Sequence, residues 1–262
     1  MKIGLQLFTC RKQAQKDLYG TLKNLAGLGI KYIEAARINF DDTDIAAFKQ
    51  AKKDFGIEVV SAQIKPNILA DEFDKCLKFL NETECKIAII SVLPTKCIIG
   101  SDDKLIEFCA WASELAKKYK EHGIQLCYHH HDFEFIRATK KDFKGTRFDL
   151  IVENMSEDMN FVIDTYWTTK AGINVEKLLN RLSGRVRGVH LRDYALYRRF
   201  IGRNPANYAL GDGVIDFNWI IEAANAAGVD YGAIEQNTSH PYSEIAKSVK
   251  HLKAIGYEEE MK

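Results

Sequence analysis

Cysteine is sparse and unpatterned: the chain has six (Cys10, Cys76, Cys85, Cys97, Cys109, Cys127), with no C-x-x-C and no paired spacing. That excludes a disulfide framework and a thiolate zinc site, and leaves reduced thiols acting as small buried hydrophobes. There are only four prolines and no Gly/Ser-rich or low-complexity stretch, so nothing marks a linker and one domain over residues 1–262 is expected. No apolar run approaches the ~20 residues needed to span a bilayer. The opening Met1-Lys2-Ile3-Gly4-Leu5 reads as a strand without an apolar signal segment, so the expected location is cytoplasmic. Charge of one sign is also missing. With 37 Lys+Arg against 36 Asp+Glu, binding nucleic acid by counterion release would require a strongly segregated basic face, so neither nucleic acid nor membrane is expected as a partner. A glycine-rich phosphate loop is absent too, because the first apolar run passes into Thr9-Cys10-Arg11. Gly211-x-Gly213 is too short for a dinucleotide fingerprint and reads as a loop bend.

What the chain does contain is alternation. Short apolar runs at Ile3–Phe8, Tyr32–Ala35, Glu58–Ile64, Lys86–Leu93, Ile124–His130, Met159–Asp164, Val186–Leu191 and Tyr231–Glu235 have the length and β-branched content of buried parallel strands. Between them apolar residues recur at helical spacing, as in Leu18, Leu22, Leu25, Leu28 and in Leu105, Phe108, Trp111, Leu115. Gly29, Gly56, Gly123 and Gly228 fall between a helical stretch and the next strand, where a left-handed C′ residue is needed. Eight such units in 262 residues match a single α/β (β/α)8 TIM barrel.

Catalytic groups of such barrels sit at the carboxyl ends of the strands. Here polar strand ends concentrate in the second half: Tyr128-His129-His130-His131-Asp132-Phe133-Glu134 closes the fifth run, Asp164 the sixth, His190 the seventh and Glu235 the eighth. Carboxylates mixed with imidazoles form a hard-to-borderline donor set that suits one divalent ion: Mn²⁺, Mg²⁺, Co²⁺ or Zn²⁺. Any one of these residues alone would more simply be a helix cap or a satisfied polar group; four consecutive units ending this way point to a site. Because strand side chains alternate, His129 and His131 share a side and His130 faces away, and His190 points inward if Val189 and Leu191 pack outward.

Several segments together resemble the xylose-isomerase-like barrel superfamily, and in particular its sugar phosphate isomerase/epimerase branch. They are Gly4-Leu5-Gln6-Leu7-Phe8-Thr9, Tyr128 to Phe135, Asp164-Thr165-Tyr166-Trp167, His190-Leu191-Arg192-Asp193, Gly211-Asp212-Gly213-Val214-Ile215-Asp216 and Ile234-Glu235-Gln236. The resemblance implies a barrel with one divalent ion, frequently Mn²⁺, acting on keto-sugars or polyol-derived ketones, with Asp164, His190 and Glu235 as metal ligands. Many sugar epimerases of this family carry a glutamate, both ligand and acid/base, where this chain has His129. Either Glu134 or a strand-end histidine then completes the ligand set. The Tyr-His-His-His run is also similar to that of inosose dehydratases, which keeps a lyase in view.

The implied chemistry is proton removal next to a ketone through a metal-stabilised enediolate, with Glu235, His129 and His131 as the catalytic candidates. Return of the proton to the opposite face epimerises, to the adjacent carbon isomerises, and to a departing hydroxyl dehydrates. Arg192, Lys65 and Glu34 are candidates for substrate contact. The segment Tyr194–Tyr208, with Arg198, Arg199 and Arg203, is long for a barrel loop and is expected to act as a lid or subunit contact. The expected partner is a small carbohydrate, and a homo-oligomer is compatible with the sequence. The competing classes, an abasic-site endonuclease and a non-catalytic partner subunit, fit less well. Net charge of +1 gives no basic groove, the first half has no extra strand-end histidines, and the strand-end donors are complete.

Overall fold

A computed structural model describes residues 1–198 and 203–261. Eight parallel strands close into a barrel: β1 (Lys2–Gln6), β2 (Tyr32–Ala36), β3 (Glu58–Ile64), β4 (Ile87–Ile90), β5 (Gln125–His129), β6 (Met159–Asp164), β7 (Val186–Leu191) and, after the hairpin of β8 (Asp193–Arg198) and β9 (Arg203–Tyr208), β10 (Tyr231–Ile234). β1 pairs with both β10 and β2, which leaves the barrel no free edge. All eight expected runs form strands. The first and fourth stop short of their apolar limits: Leu7–Cys10 turns into a 3-10 helix, and residues beyond Ile90 leave the ladder. No helix among the described residues is long and apolar enough to cross a membrane.

Helices pack outside, and their apolar stripes meet the outward faces of the strands. Leu22, Leu25, Phe48, Phe79, Leu105 and Phe148 are buried against Leu5, Ile33, Tyr128, Phe161 and Leu191 in one continuous shell. Each fully buried side chain of this size stabilises by roughly 1.5–3 kcal/mol. A smaller cluster of Ile87, Ile89, Cys127, Val162, Tyr231 and Ala233 plugs the barrel interior. All six cysteines are free and buried, and burial pushes the Cys10, Cys85 and Cys109 thiols up to about 12. Gly56 ends the helix Asp42–Phe55 at φ 72°, where its N–H reaches back to the last turn; Gly29, Gly123 and Gly228 repeat that left-handed geometry.

Two register shifts decide which side chains reach the interior. Ile33 pairs with Val59 but Glu34 with Ser61, so Val60 is an extra residue on β3; Phe161 pairs with Val186 but Val162 with Gly188, so Arg187 is an extra residue on β7. An extra residue reverses the alternation beyond it. Past the first shift Ser61 and Gln63 face the axis; past the second, Gly188 and His190 do.

Within the segment Tyr194–Tyr208 the described residues form two antiparallel strands, Asp193–Arg198 pairing with Arg203–Tyr208. Its base is fixed by Asp193, whose carboxylate accepts N–H groups from Tyr194, Gly211, Gly213 and Ile215. A Cβ on Gly213 would lie 2.2 Å from Asp193 Oδ1, so the Gly-Asp-Gly run exists to wrap this carboxylate. Arg199 lies outside the described residues, as do the side chains of Arg198 and Arg203.

Candidate metal centre and active site

Alternation along the second-half strands brings four donors together. Cys127 and His129 face inward on β5, Val162 and Asp164 on β6, Gly188 and His190 on β7, and Ala233 on β10 followed by Glu235 at its end. Val189 and Leu191 pack into the outer shell. One donor atom from each of His129, Asp164, His190 and Glu235 lies within 4.8 Å of all the others. Ligands at 2.0–2.2 Å from an ion stand at most about 4.0–4.4 Å apart, so a divalent ion fits after an inward shift of a few tenths of an ångström.

Three features of the site suit a cation. Both ring nitrogens of His129 and Nδ1 of His190 are buried without a hydrogen-bond partner. His190 Nδ1 lies 2.9 Å from Glu235 Oε2 and 3.7 Å from Asp164 Oδ2, outside hydrogen-bond alignment. Asp164 divides its two oxygens: Oδ1 accepts the Trp167 N–H at 2.9 Å as the cap of the helix Thr165–Lys170, and Oδ2 faces the cluster. It is therefore both a helix cap and a donor. Burial would raise its carboxyl, yet Arg192, His129 and His190 together hold it well below the usual carboxylate range.

Arg192 is buried, with Nη1 3.1 Å from Asp164 Oδ2 and 3.2 Å from Glu235 Oε1, and its guanidinium packs against the rings of Tyr166 and Trp167. Opposed by burial, Arg192 and His190 nonetheless lower the Glu235 carboxyl and keep it ionised. Thr165 Oγ1 accepts the Arg192 N–H at 2.9 Å and lies 2.7 Å from the Arg192 carbonyl, pinning the end of β7 to the end of β6.

Glu34 does not line the cavity above the cluster. It is fully buried one layer below the rim, since β2 continues to Ala36, and its carboxylate accepts from His190 Nε2 at 2.9 Å, Ser61 Oγ at 2.9 Å and the Tyr231 hydroxyl at 2.7 Å. With Nε2–H committed to Glu34, the Nδ1 lone pair of His190 is presented to the cluster, the arrangement that orients histidine ligands in metal sites. A Cβ on Gly188 would lie 2.3 Å from the Tyr231 ring, so that glycine makes room for the tyrosine that holds Glu34. In the absence of an ion, burial opposes protonation of His190, but Glu34, Asp164 and Glu235 override it and push the imidazole well above its ordinary value.

Glu134 also stands elsewhere than the sequence suggested. It lies on the 3-10 turn Asp132–Phe135, and its carboxylate takes the Tyr128 hydroxyl and, at 2.9 Å, the His131 N–H. Tyr128 faces the outer shell, so Glu134 is drawn to the opposite side of β5 from the cluster, and burial pushes its carboxyl up to about 7. His129 occupies the fourth place.

The three histidines have three environments. His129 sits in the cluster, 4.5 Å from the His190 ring. His130 faces away against Phe135 and Phe148; its Nε2 accepts the Asp164 N–H at 3.1 Å, and burial lowers it to about 3, so it is a neutral structural tie. His131 stacks on Phe133 at the cavity wall, and burial lowers it to about 2, leaving a neutral ring whose Nδ1, like Trp167 Nε1, is buried without a partner.

Above the cluster opens a cavity of about 780 Å³ that His129, His131, Tyr166, Trp167, Arg192 and Glu235 line on one side. Gln6, Arg37, Gln63, Lys65, Ser91 and Thr95 line the other, so Lys65 does reach it. Its size is that of a small-molecule site. The sequence reading missed Gln6, whose Nε2 bridges Glu235 Oε2 at 3.2 Å and Gln63 Oε1 at 3.1 Å; alternation along β1 would have flagged it. Arg37 carried no such signal, because its place depends on a left-handed turn after β2.

The profile of the xylose isomerase-like TIM barrel family matches residues 22–255. Among curated proteins, an inosose dehydratase of Mesomycoplasma hyopneumoniae is 26% identical over 159 residues, 54% of this chain and 51% of that one. The chain thus spans about half the length of that relative. A solved sugar phosphate isomerase/epimerase from Parabacteroides distasonis superposes with a TM-score of 0.77 at 22% identity, covering 98% of this chain and 95% of that one. A probable 3-DHS dehydratase from Bacillus anthracis superposes at 0.72 with 13% identity, covering 97% and 99%. At such identities the two structures speak for the fold alone. The barrel order, the rim of donors and the profile match across most of the chain agree: this protein belongs to the xylose isomerase-like TIM barrel family.

Proposed function

We propose that this protein is a divalent-metal-dependent enzyme that moves a proton at the carbon next to the ketone of a sugar or related polyol, with isomerisation or epimerisation as the outcome. The observation that carries this reading is the convergence of His129, Asp164, His190 and Glu235 on the floor of a cavity of small-molecule size. A divalent ion held by these four, Mn²⁺ being our first choice, would supply Lewis-acid polarisation of a ketone and its neighbouring hydroxyl.

The rest falls to side chains. Glu235, ionised and reaching the cavity from β10, accepts the carbon-bound proton; Gln6 and Arg192 hold its two oxygens in place. His131, a neutral ring at the cavity wall on the β5 side, is the candidate group for the other face. Trp167 and Tyr166 wall off water beside Arg192. A second reading, dehydration, is favoured by two features: His129 stands where many epimerases of the family have their second acid/base carboxylate, and the curated relative is named as a dehydratase.

Incubating the Mn²⁺-loaded protein with ketoses and inososes in D2O separates the two. Deuterium entering the substrate with its formula otherwise unchanged supports isomerisation or epimerisation; loss of one water with an enone chromophore supports dehydration. Neither exchange nor loss of water with any ketone would overturn both.

A further inference from the structure

One oxygen of the centre is claimed by two cations. Asp164 commits Oδ1 to the Trp167 N–H, so Oδ2 is the atom it has left for an ion, and Arg192 Nη1 already holds Oδ2 at 3.1 Å. Glu235 divides its oxygens instead, with Oε1 toward Arg192 at 3.2 Å and Oε2 toward His190 and Gln6. Proton transfer at Glu235 does not call for a guanidinium on Asp164, so that contact is left unexplained by the chemistry proposed above.

The guanidinium is kept beside Asp164 by packing. Its Cζ lies 4.9 Å from the Tyr166 ring and 5.1 Å from the Trp167 ring, and the Arg192 backbone N–H is held at 2.9 Å by Thr165 Oγ1; none of these contacts involves a carboxylate. Its hold on the carboxylates is of the weaker kind. Nη1 alone serves both, and Nε is buried without a hydrogen-bond partner, so the bidentate fork of a strong arginine–carboxylate pair is missing. Charge sharpens the conflict. Glu34, Asp164 and Glu235 bring three carboxylates, His129 brings none, and both imidazoles are neutral when they act as ligands. A divalent ion therefore meets a net charge of −2 with Arg192 in place and −3 without it. All of these groups are buried, so little water screens the repulsion between the ion and the guanidinium.

Resting on the metal-dependent reading above, we infer that Arg192 is a built-in competitor for the ion: it supplies the counter-charge when the centre is empty and lowers the affinity of the centre for a divalent ion. Without it an empty centre would hold Asp164 and Glu235 buried beside no arginine or lysine, an arrangement that buried carboxylates tolerate poorly. With it, an arriving ion has to share Asp164 Oδ2. The centre thus stays folded when stripped and exchanges its ion more readily than its four donors alone would allow.

The test is a calorimetric titration of Mn²⁺ alone into the stripped full chain, as wild type, Arg192→Gln and Arg192→Lys, with bound metal counted by elemental analysis. Arg192→Gln keeps an amide at the carboxylates but removes the charge, and should bind one ion at least about tenfold more tightly than wild type, while Arg192→Lys keeps the charge and should stay within about threefold. Thermal unfolding gives a second readout. The stripped Arg192→Gln chain should melt below the stripped wild type, and Mn²⁺ should raise its melting temperature by more; a variant that folds only with Mn²⁺ present is the same result at its extreme. Equal or weaker binding in Arg192→Gln would overturn the inference, because a residue that only positions the carboxylates weakens the ion when it is removed. Equal gains in both variants would also overturn it, tracing the effect to packing rather than charge. So would an Arg192→Gln chain that stays unfolded in Mn²⁺, since an ion able to replace the lost charge restores the centre. If wild type takes up one ion and these expectations fail, the proposed reaction stands without the competitor; if no chain takes up Mn²⁺, both fall.

Discussion

The two halves of the barrel end differently. The last inward-facing residues of β5, β6 and β7 are His129, Asp164 and His190, with Glu235 directly after β10, whereas those of β1 and β3 are Gln6 and Gln63, and β4 is followed by Ser91. One half offers imidazoles and carboxylates, groups able to exchange protons and hold a cation; the other offers amides and hydroxyls, groups that hydrogen-bond without changing charge. Glu34 is the exception that joins them: it grows from a first-half strand but serves the second half, behind His190. A single closed ladder thus separates ionisable from neutral strand ends and couples them through a few buried hydrogen bonds.

The largest effect should come from breaking the chemical half. Asp164→Ala or His190→Ala should abolish bound metal and turnover together, read by elemental analysis and by substrate deuteration, because each removes a donor and leaves buried charge unpaired. Retention of full metal content in either variant would contradict the assignment of that half. Next comes the link between halves. Glu34→Gln keeps a hydrogen bond to His190 but removes the charge behind it, and should weaken Mn²⁺ by about 10–100-fold in a titration, the usual cost of losing such a partner. A value indistinguishable from wild type would reduce Glu34 to a structural group.

Packing effects are smaller and rest on the same link. Gly188→Ala forces a methyl into the Tyr231 ring, and should cost about 1–3 kcal/mol by denaturant unfolding and weaken metal binding with it. Of similar size, but spread over a pH range, is an effect in a residue removed from the centre. Glu134 sits at about 7 in the folded chain against an ordinary 4.5, because burial disfavours its charge. The folded chain therefore keeps a proton that the unfolded chain has lost, and stability should fall by on the order of 1–3 kcal/mol as pH rises from about 4.5 to about 7. Glu134→Gln should flatten that slope; an unchanged slope would place its cause elsewhere.

The barrel was legible because strand and helix periodicity and the left-handed glycines report local physics. The rim donors Asp164, His190 and Glu235 were legible for the same reason, being the last inward positions of apolar runs. The positions of Glu34 and Glu134 were less legible. Their roles depend on depth and side, which a one-residue register shift on β3 and a 3-10 turn after His131 decide, and neither leaves a mark in composition or spacing. Arg37 and the hairpin after β7 were hidden likewise. One requires a non-glycine in a left-handed turn; the other looked like a long loop until Asp193 gave it a base.

The proposed metal site depends on His129, rather than a fifth-strand carboxylate or Glu134, as its fourth ligand. Titrating Mn²⁺ into the stripped wild-type chain, His129→Ala and Glu134→Gln tests that directly. The predicted result is one ion per chain in wild type and in Glu134→Gln, with binding lost or strongly weakened in His129→Ala. Undiminished binding in His129→Ala together with its loss in Glu134→Gln would contradict it.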